Sequence, residues 1–340
     1  MLRTLSLIVL LALRTVPALA AVHITDRWPD PDSLPQTRQE EVSFPSSDPF
    51  TPADLGRAPA RIVHATLYLP SDAVPGHAVP AVVMLHGAAG LVAERGATYG
   101  PQLAAMGVAT LVVDTYGSRT DLATGFIQRT LKITESMFVA DAYAGLRYLG
   151  ARPEIDAHHV VLTGFSYGGM ATMYALYAEM ADRVSPPGLR FAGHVSFYGP
   201  CIARFDDSRT TGAQLLMLYG DGDELIRPQR CAQIADDFRH GGSTVTAIGY
   251  PGAVHQWDAG MARHMIGRNL AACRFRVDRA GVIRDTTTGV TMTSLFRREI
   301  LLALCVSSKP YPIGRDDAVR AESNRDFGRF LTRVFASPPP

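Results

Sequence analysis

Apolar residues fall in short blocks along this chain, and polar ones gather between them. Ile62-Val63-His64-Ala65-Thr66-Leu67-Tyr68-Leu69 alternates and stops at Pro70, which predicts an antiparallel strand. Ala81 to Leu85 and Val108 to Val113 run on without alternation, the pattern of strands buried on both faces of a parallel sheet. His159 to Thr163, Phe191 to Tyr198, Leu215 to Tyr219 and Val245 to Tyr250 read as four more strands. Helical patterns separate them. Tyr99 to Met106 is closed by Gly107, and Pro228 to His240 is ended by Gly241-Gly242. Between Ser136 and Leu149, residues Val139, Ala142, Tyr143, Leu146 and Leu149 keep helical spacing. Strands alternating with helices predict an α/β fold, a mostly parallel sheet with helices on both faces.

The rest of the chain breaks this rhythm. Residues 21–60 are rich in Pro, Asp and Ser and read as an extended N-terminal arm, with one strand around Val42–Phe44. Residues 256–310 lose the alternation, carry two cysteines and hold a β-turn region from Val277 to Ile283. They read as an elaboration of the domain spanning 61–340. Ala318 to Phe335 predicts a terminal amphipathic helix. There is no internal repeat and no low-complexity linker.

The chemistry begins at Val160-Val161-Leu162-Thr163-Gly164-Phe165-Ser166-Tyr167-Gly168-Gly169-Met170, which passes directly into the helix-forming Ala171–Leu176. Strand, Gly-x-Ser-x-Gly and helix together are the context of a nucleophile elbow. Ser166 is therefore the candidate nucleophile, at a turn where glycines remove Cβ atoms that would collide. A serine hydroxyl needs a base, and the base an acid to hold its tautomer. In the chain order nucleophile, acid, histidine, the loop Gly220-Asp221-Gly222-Asp223-Glu224 supplies the acid. Asp223 is the first choice and Asp221 its rival. His255, in the loop after the last strand, is the candidate base, with His264 as the rival downstream. The oxyanion amides are assigned to Tyr167, which follows the nucleophile, and to Ala88 in His86-Gly87-Ala88-Ala89-Gly90, with Ala89 second. His86 reads as an anchor of that loop. Arg119 reads either as partner of a substrate carboxylate or as a loop-fixing ion pair. Trp257, Tyr116, Phe165 and Tyr167 read either as an aromatic substrate wall or as core.

Five pieces recur in order over residues 60–260: His86–Gly90, Asp114-Thr115-Tyr116-x-x-Arg119, Gly164–Gly169, Gly220-x-x-Asp223 and Tyr250-Pro-Gly-Ala-x-His255. In these the sequence resembles the dienelactone hydrolase family of α/β-hydrolases. That resemblance implies an eight-stranded sheet, a Ser or Cys nucleophile, no cofactor, and acyl transfer on a small ester or lactone. Three positions depart from the dienelactone enzymes proper. Ser166 stands where they have cysteine, Gly87 where they carry an acid, and Ala259 where a substrate-binding arginine is expected. A serine peptidase or a polyester or lipid hydrolase on the same fold is the alternative enzyme. A non-catalytic binding protein on this scaffold is the alternative of another class.

Composition adds the compartment. A 47% hydrophobic and 19% charged chain is ordinary for a globular protein, and a formal charge of +1 gives no reason to expect nucleic acid or an anionic membrane as partner. Met1-Leu2-Arg3, an apolar run from Leu5 to Leu13 and Ala18-Leu19-Ala20 read as a secretory signal over residues 1–20. The apolar run is too short to span a bilayer. The expected location is secreted or periplasmic. Cys201, Cys231, Cys273 and Cys305 contain no C-x-x-C pair for zinc or redox work. In an oxidising compartment they favour two disulfides. Of three pairings, Cys201 with Cys231 and Cys273 with Cys305 is preferred, because each pair brackets one excursion of the chain.

Overall fold

A computed structural model describes residues 22–338 apart from 36 and 94. The secretory signal over 1–20 lies outside the described residues. In chain order the elements are β1 (Arg38–Ser47), β2 (Ala60–Leu69), β3 (Val79–Leu85), α1 (Gly96–Ala105), β4 (Ala109–Asp114), α2 (Phe126–Lys132), α3 (Glu135–Gly150) and β5 (Ile155–Phe165). Then come α4 (Tyr167–Tyr174), α5 (Ala178–Val184), β6 (Gly193–Phe197), β7 (Ala203–Phe205), β8 (Gln214–Gly220), α6 (Pro228–His240) and β9 (Val245–Tyr250). The last third holds β10 (His264–Ile266), β11 (Phe275–Val277), β12 (Ile283–Asp285), α7 (Leu295–Cys305), β13 (Tyr311–Ile313) and α8 (Asp317–Ala336).

Eight strands form the main sheet in the order β1-β2-β4-β3-β5-β6-β8-β9. The β1–β2 and β2–β4 pairs are antiparallel and the other five are parallel. Side chains alternate across the sheet, so an unbroken apolar strand feeds two cores at once. On β3, Ala81, Val83 and Leu85 pack with Phe138, Tyr143 and Leu146 of α3 on one face. Val82 and Met84 pack on the other face, in the layer that holds Tyr99 and Leu103 of α1 and Phe327, Phe330 and Leu331 of α8. This is the mostly parallel α/β sheet, covered on both sides, that the apolar runs predict.

The N-terminal region over 21–60 contains the strand expected around Val42–Phe44, and that strand is longer than expected. Its strand is ten residues long, pairs with β2 along its whole length and forms the edge of the main sheet. Phe44 joins the core, and the polar residues of the strand face solvent at the sheet edge. Three short helices, α2, α5 and α7, gave no clear periodic signal. The first two span only two turns.

Beyond residue 255 the chain is joined to the main domain by strand pairing, and two disulfides each close a loop, one before residue 255 and one beyond it. The short strand β11 pairs in parallel with β7, and β12 extends that ribbon. A disulfide joins Cys201 to Cys231, and a second joins Cys273 to Cys305 at the end of α7. The elaboration therefore runs to β13, a little beyond the expected limit at 310, and α8 returns the chain to the sheet.

His194 on β6 is buried within the sheet, with Nδ1 3.0 Å from the Thr172 carbonyl oxygen. Burial pushes its pKa down to about 4. In the unfolded chain a histidine takes up its proton near pH 6.5. Between pH 6.5 and 4 the unfolded state therefore binds more protons, and folding stability falls as pH falls through that window. The full loss is about 3 kcal/mol. Urea midpoints measured at pH 7 and pH 4.5 should differ in that sense, and the difference should shrink in His194→Gln. An unchanged difference would remove His194 from the account.

Candidate active site

The site is built on the carboxyl ends of the central strands. Strand β5 turns into α4 at Ser166, whose φ of 52° and ψ of −111° lie in a region non-glycine residues rarely adopt. The surroundings hold it there. The Ser166 amide donates to the Phe197 carbonyl at 2.9 Å, tying the bend to the neighbouring strand β6. A Cβ at Gly164 would meet the Gly168 carbonyl oxygen at 2.3 Å, and one at Gly168 would meet the His86 carbonyl oxygen at 2.5 Å. Both glycines are thus required by close backbone approach.

Three loops bring the predicted partners to this bend. The His255 Nε2 atom lies 2.8 Å from the Ser166 Oγ, and its Nδ1 lies 2.6 Å from the Asp223 Oδ2. The other Asp223 oxygen accepts the Leu225 amide at 2.9 Å. With Nδ1–H donating to the carboxylate, Nε2 is left to accept the serine proton. His255 and Asp223 are both buried. Asp221, the rival acid, is exposed and accepts the Gly252 amide at 2.5 Å, which pins the histidine loop from outside. His264 is exposed on β10, its ring on the Ala262 carbonyl.

Opposite the histidine, Gly87 packs against the bend. A Cβ there would lie 3.2 Å from the Phe165 carbonyl oxygen and 3.4 Å from the Ser166 Cβ. The loop closes as a turn in which the Gly90 amide donates to the Gly87 carbonyl, with Gly90 at a φ of 90°. His86 anchors it from below: Nδ1 donates to the Gly87 carbonyl at 2.8 Å and Nε2 accepts the Tyr116 amide. Burial lowers the His86 pKa, which keeps the ring neutral in this bridging role. Ala88, Ala89 and Tyr167, together with Ser166 and His255, line a cavity of about 880 Å³.

The proposed substrate-binding residues fare differently. Arg119 is fully buried and bonds to Asp141 through both terminal nitrogens and to Asp48 through Nε. It fixes the segment after β1 to α3 and is not available to a substrate. Tyr116 is buried against the rings of His86 and Phe138. Trp257 is buried against Tyr198 and Tyr250 and donates to the Ser323 hydroxyl. Both are core, and so is Phe165; of the four aromatics only Tyr167 lines the cavity.

Two clusters had no motif to announce them. Asp258 accepts from Arg95 at 3.0 Å and from the Tyr198 hydroxyl at 2.5 Å, all three buried, while the Tyr198 ring packs on His255. This ties the histidine loop to the chain that follows the oxyanion loop. The second cluster is Arg298 on α7, which reaches Glu135 at 3.0 and 3.1 Å, the Tyr167 hydroxyl at 3.1 Å and the Thr130 carbonyl at 3.0 Å. It clamps the elaboration to the first residue of α4. Removing one partner of such a buried pair leaves an uncompensated charge, so Arg298→Met should destabilise the protein by about 3–5 kcal/mol. Denaturant unfolding measures this, and adding Glu135→Gln should restore part of the loss.

A family model described as the dienelactone hydrolase family matches residues 63–274. The chain belongs to the dienelactone hydrolase family. A dienelactone hydrolase-like promiscuous phosphotriesterase from metagenomic libraries has a TM-score of 0.54 at 16% identity, covering 87% of this chain and 98% of that one. A likeness at that identity carries the α/β-hydrolase fold alone. A thermophilic esterase of Thermogutta terrifontis with bound propionate has a TM-score of 0.42 at 15% identity, covering 57% of this chain and 80% of that one. Comparison with curated proteins finds no match. Membership of the dienelactone hydrolase family supports ester hydrolysis as the chemistry. The family match ends at 274, so α7, β13 and α8 lie beyond it. Ala259, at the position where the dienelactone enzymes proper were expected to have arginine, is buried.

Proposed function

We propose that this protein hydrolyses carboxylic esters through an acyl-enzyme on Ser166. The observation that carries the reading is the pair of contacts at one imidazole, 2.8 Å to the serine oxygen and 2.6 Å to the aspartate oxygen, with the serine and histidine lining a cavity. In the first half-reaction the Ser166 Oγ attacks the ester carbonyl carbon while His255 Nε2 takes the hydroxyl proton. Asp223 holds the Nδ1–H tautomer and stabilises the imidazolium that forms. The carbonyl oxygen becomes an oxyanion beside the Tyr167 and Ala88 amides, and preorganised donors of this kind are each worth roughly 10²–10³ in rate. The tetrahedral species collapses, His255 gives its proton to the departing alkoxide, and the acyl group stays on Ser166. Water then repeats the sequence, with His255 as base, to release the acid.

A secreted or periplasmic location accompanies this reading, supported by two disulfides in a chain with no free cysteine among the described residues. Among those residues no helix is long and apolar enough to cross a membrane. The test is a fluorophosphonate probe, which phosphonylates an activated serine, followed by peptide mapping. Label on Ser166 of the folded protein supports the reading. A folded protein that remains unlabelled favours a binding scaffold instead.

A further inference from the structure

We propose that the ester cleaved at Ser166 carries a long apolar chain on one side of its carbonyl group, and that the chain lies in the cavity between α4 and the elaboration. The inference rests on the proposed hydrolytic reading and adds a substrate class to it.

Size is the first argument. Sites for small ligands run to roughly 300–1,000 Å³, and a cavity of about 880 Å³ sits near the top of that range. A short acyl group or a small lactone would leave most of it to water, whereas an alkyl chain would exchange that water for apolar contact.

Lining is the second. Met170 of α4 forms one wall, and Leu270, Phe275 and Ile283 come from the elaboration. Of the four charged residues in the lining, Arg298 and Glu135 are paired with each other, and Arg268 and Glu299 are exposed. Arg298 is committed to Glu135 and to the Tyr167 hydroxyl. Arg268 is exposed, with its guanidinium 4.8 Å over the Phe126 ring. Arg119, the sequence's candidate for a substrate carboxylate, lies in the ion pairs with Asp48 and Asp141. An anionic chain would therefore be desolvated here without a free counter-charge in the interior, which is costly.

Continuity is the third. Phe126, Ile127 and Met261 line the cavity yet are 39%, 52% and 52% exposed, so the apolar surface runs from the interior out to solvent. Leu302 of α7, and Val306 just after it, lie on the cavity side. Phe296, Ile300 and Leu304 form a neighbouring apolar stripe that is exposed. An apolar path from solvent to Ser166, lined by α2 and α7, suits entry of an alkyl chain.

The experiment uses two series of soluble esters below their aggregation limits: p-nitrophenyl esters from acetate to decanoate, and acetates of alcohols of increasing length. Each methylene buried should raise kcat/KM roughly threefold to fourfold. The expected result is a rise of at least about tenfold along one series, far beyond the change in intrinsic reactivity. Leu302→Trp from α7 and Leu131→Trp from α2, each filling the cavity from its own wall, should lower the long-to-short ratio of kcat/KM at least about tenfold. Fluorophosphonate labelling of Ser166 verifies that each variant is folded. Turnover of acetate with no gain on lengthening in either series, or an unchanged ratio in both labelled variants, overturns this inference alone. Absence of turnover for every ester together with absence of labelling overturns the hydrolytic reading beneath it.

Discussion

Replacing Ser166 with alanine is expected to lower kcat for any ester the protein cleaves by on the order of 10⁶, with the fold retained. The magnitude follows from serine hydrolases in which loss of the nucleophile alone removes nearly all that the linked residues supply. The fold should survive because the bend is held by the backbone. The Ser166 amide keeps its bond to the Phe197 carbonyl, and alanine meets the same positive φ that serine already tolerates. The hydroxyl's contact is with His255 Nε2, which sits beside the cavity and can be rehydrated. Circular dichroism and the urea midpoint should match the parent within experimental scatter while ester turnover vanishes. Persistent turnover in purified Ser166→Ala would refute the acyl-enzyme.

Asp223→Asn should lower kcat by about 10⁴, and Asp221→Ala by less than about tenfold. Asparagine keeps the shape of Asp223 and can still accept the Leu225 amide. It cannot fix the Nδ1–H tautomer or stabilise the imidazolium, and a comparable change in a serine protease costs about that much. Asp221 acts on the loop through Gly252 and touches no reacting group, so its loss should loosen the histidine loop without removing the base. Equal effects of the two substitutions would reopen the choice of acid. The pair of measurements separates them because the two carboxylates are only two residues apart and differ in what they hold.

Local chemistry explains why so much was legible. The apolar runs of β3 and β4 reported burial on both faces, and Gly-x-Ser-x-Gly reported a bend that only particular residues permit. Chain order then pointed to His255, since the loops after successive parallel strands emerge at the same edge of the sheet. The readings left open share a cause as well. Tyr116, Trp257 and Arg119 stand next to motif residues in sequence, but neighbours along a strand end or loop point in different directions. All three turned into the core, Arg119 to meet Asp48 and Asp141 from distant segments. In segment 21–60 the full length of the strand was not legible because an edge strand shows a polar face, and its pairing with β2 cannot be seen from its own residues.

Sequence alone pointed to the parallel sheet, the bend at Ser166 and the order of candidate nucleophile, acid and base, and it preferred one of three disulfide pairings, because each depends on patterns within a few residues or on chain order. Tertiary structure alone decided which carboxylate meets the imidazole, that Arg298 joins α7 to α4, and that the site opens into a large apolar chamber. Those depend on the distance and direction between side chains up to 163 residues apart, as for Arg298 and Glu135. Such distances are fixed by packing, and no local pattern encodes them.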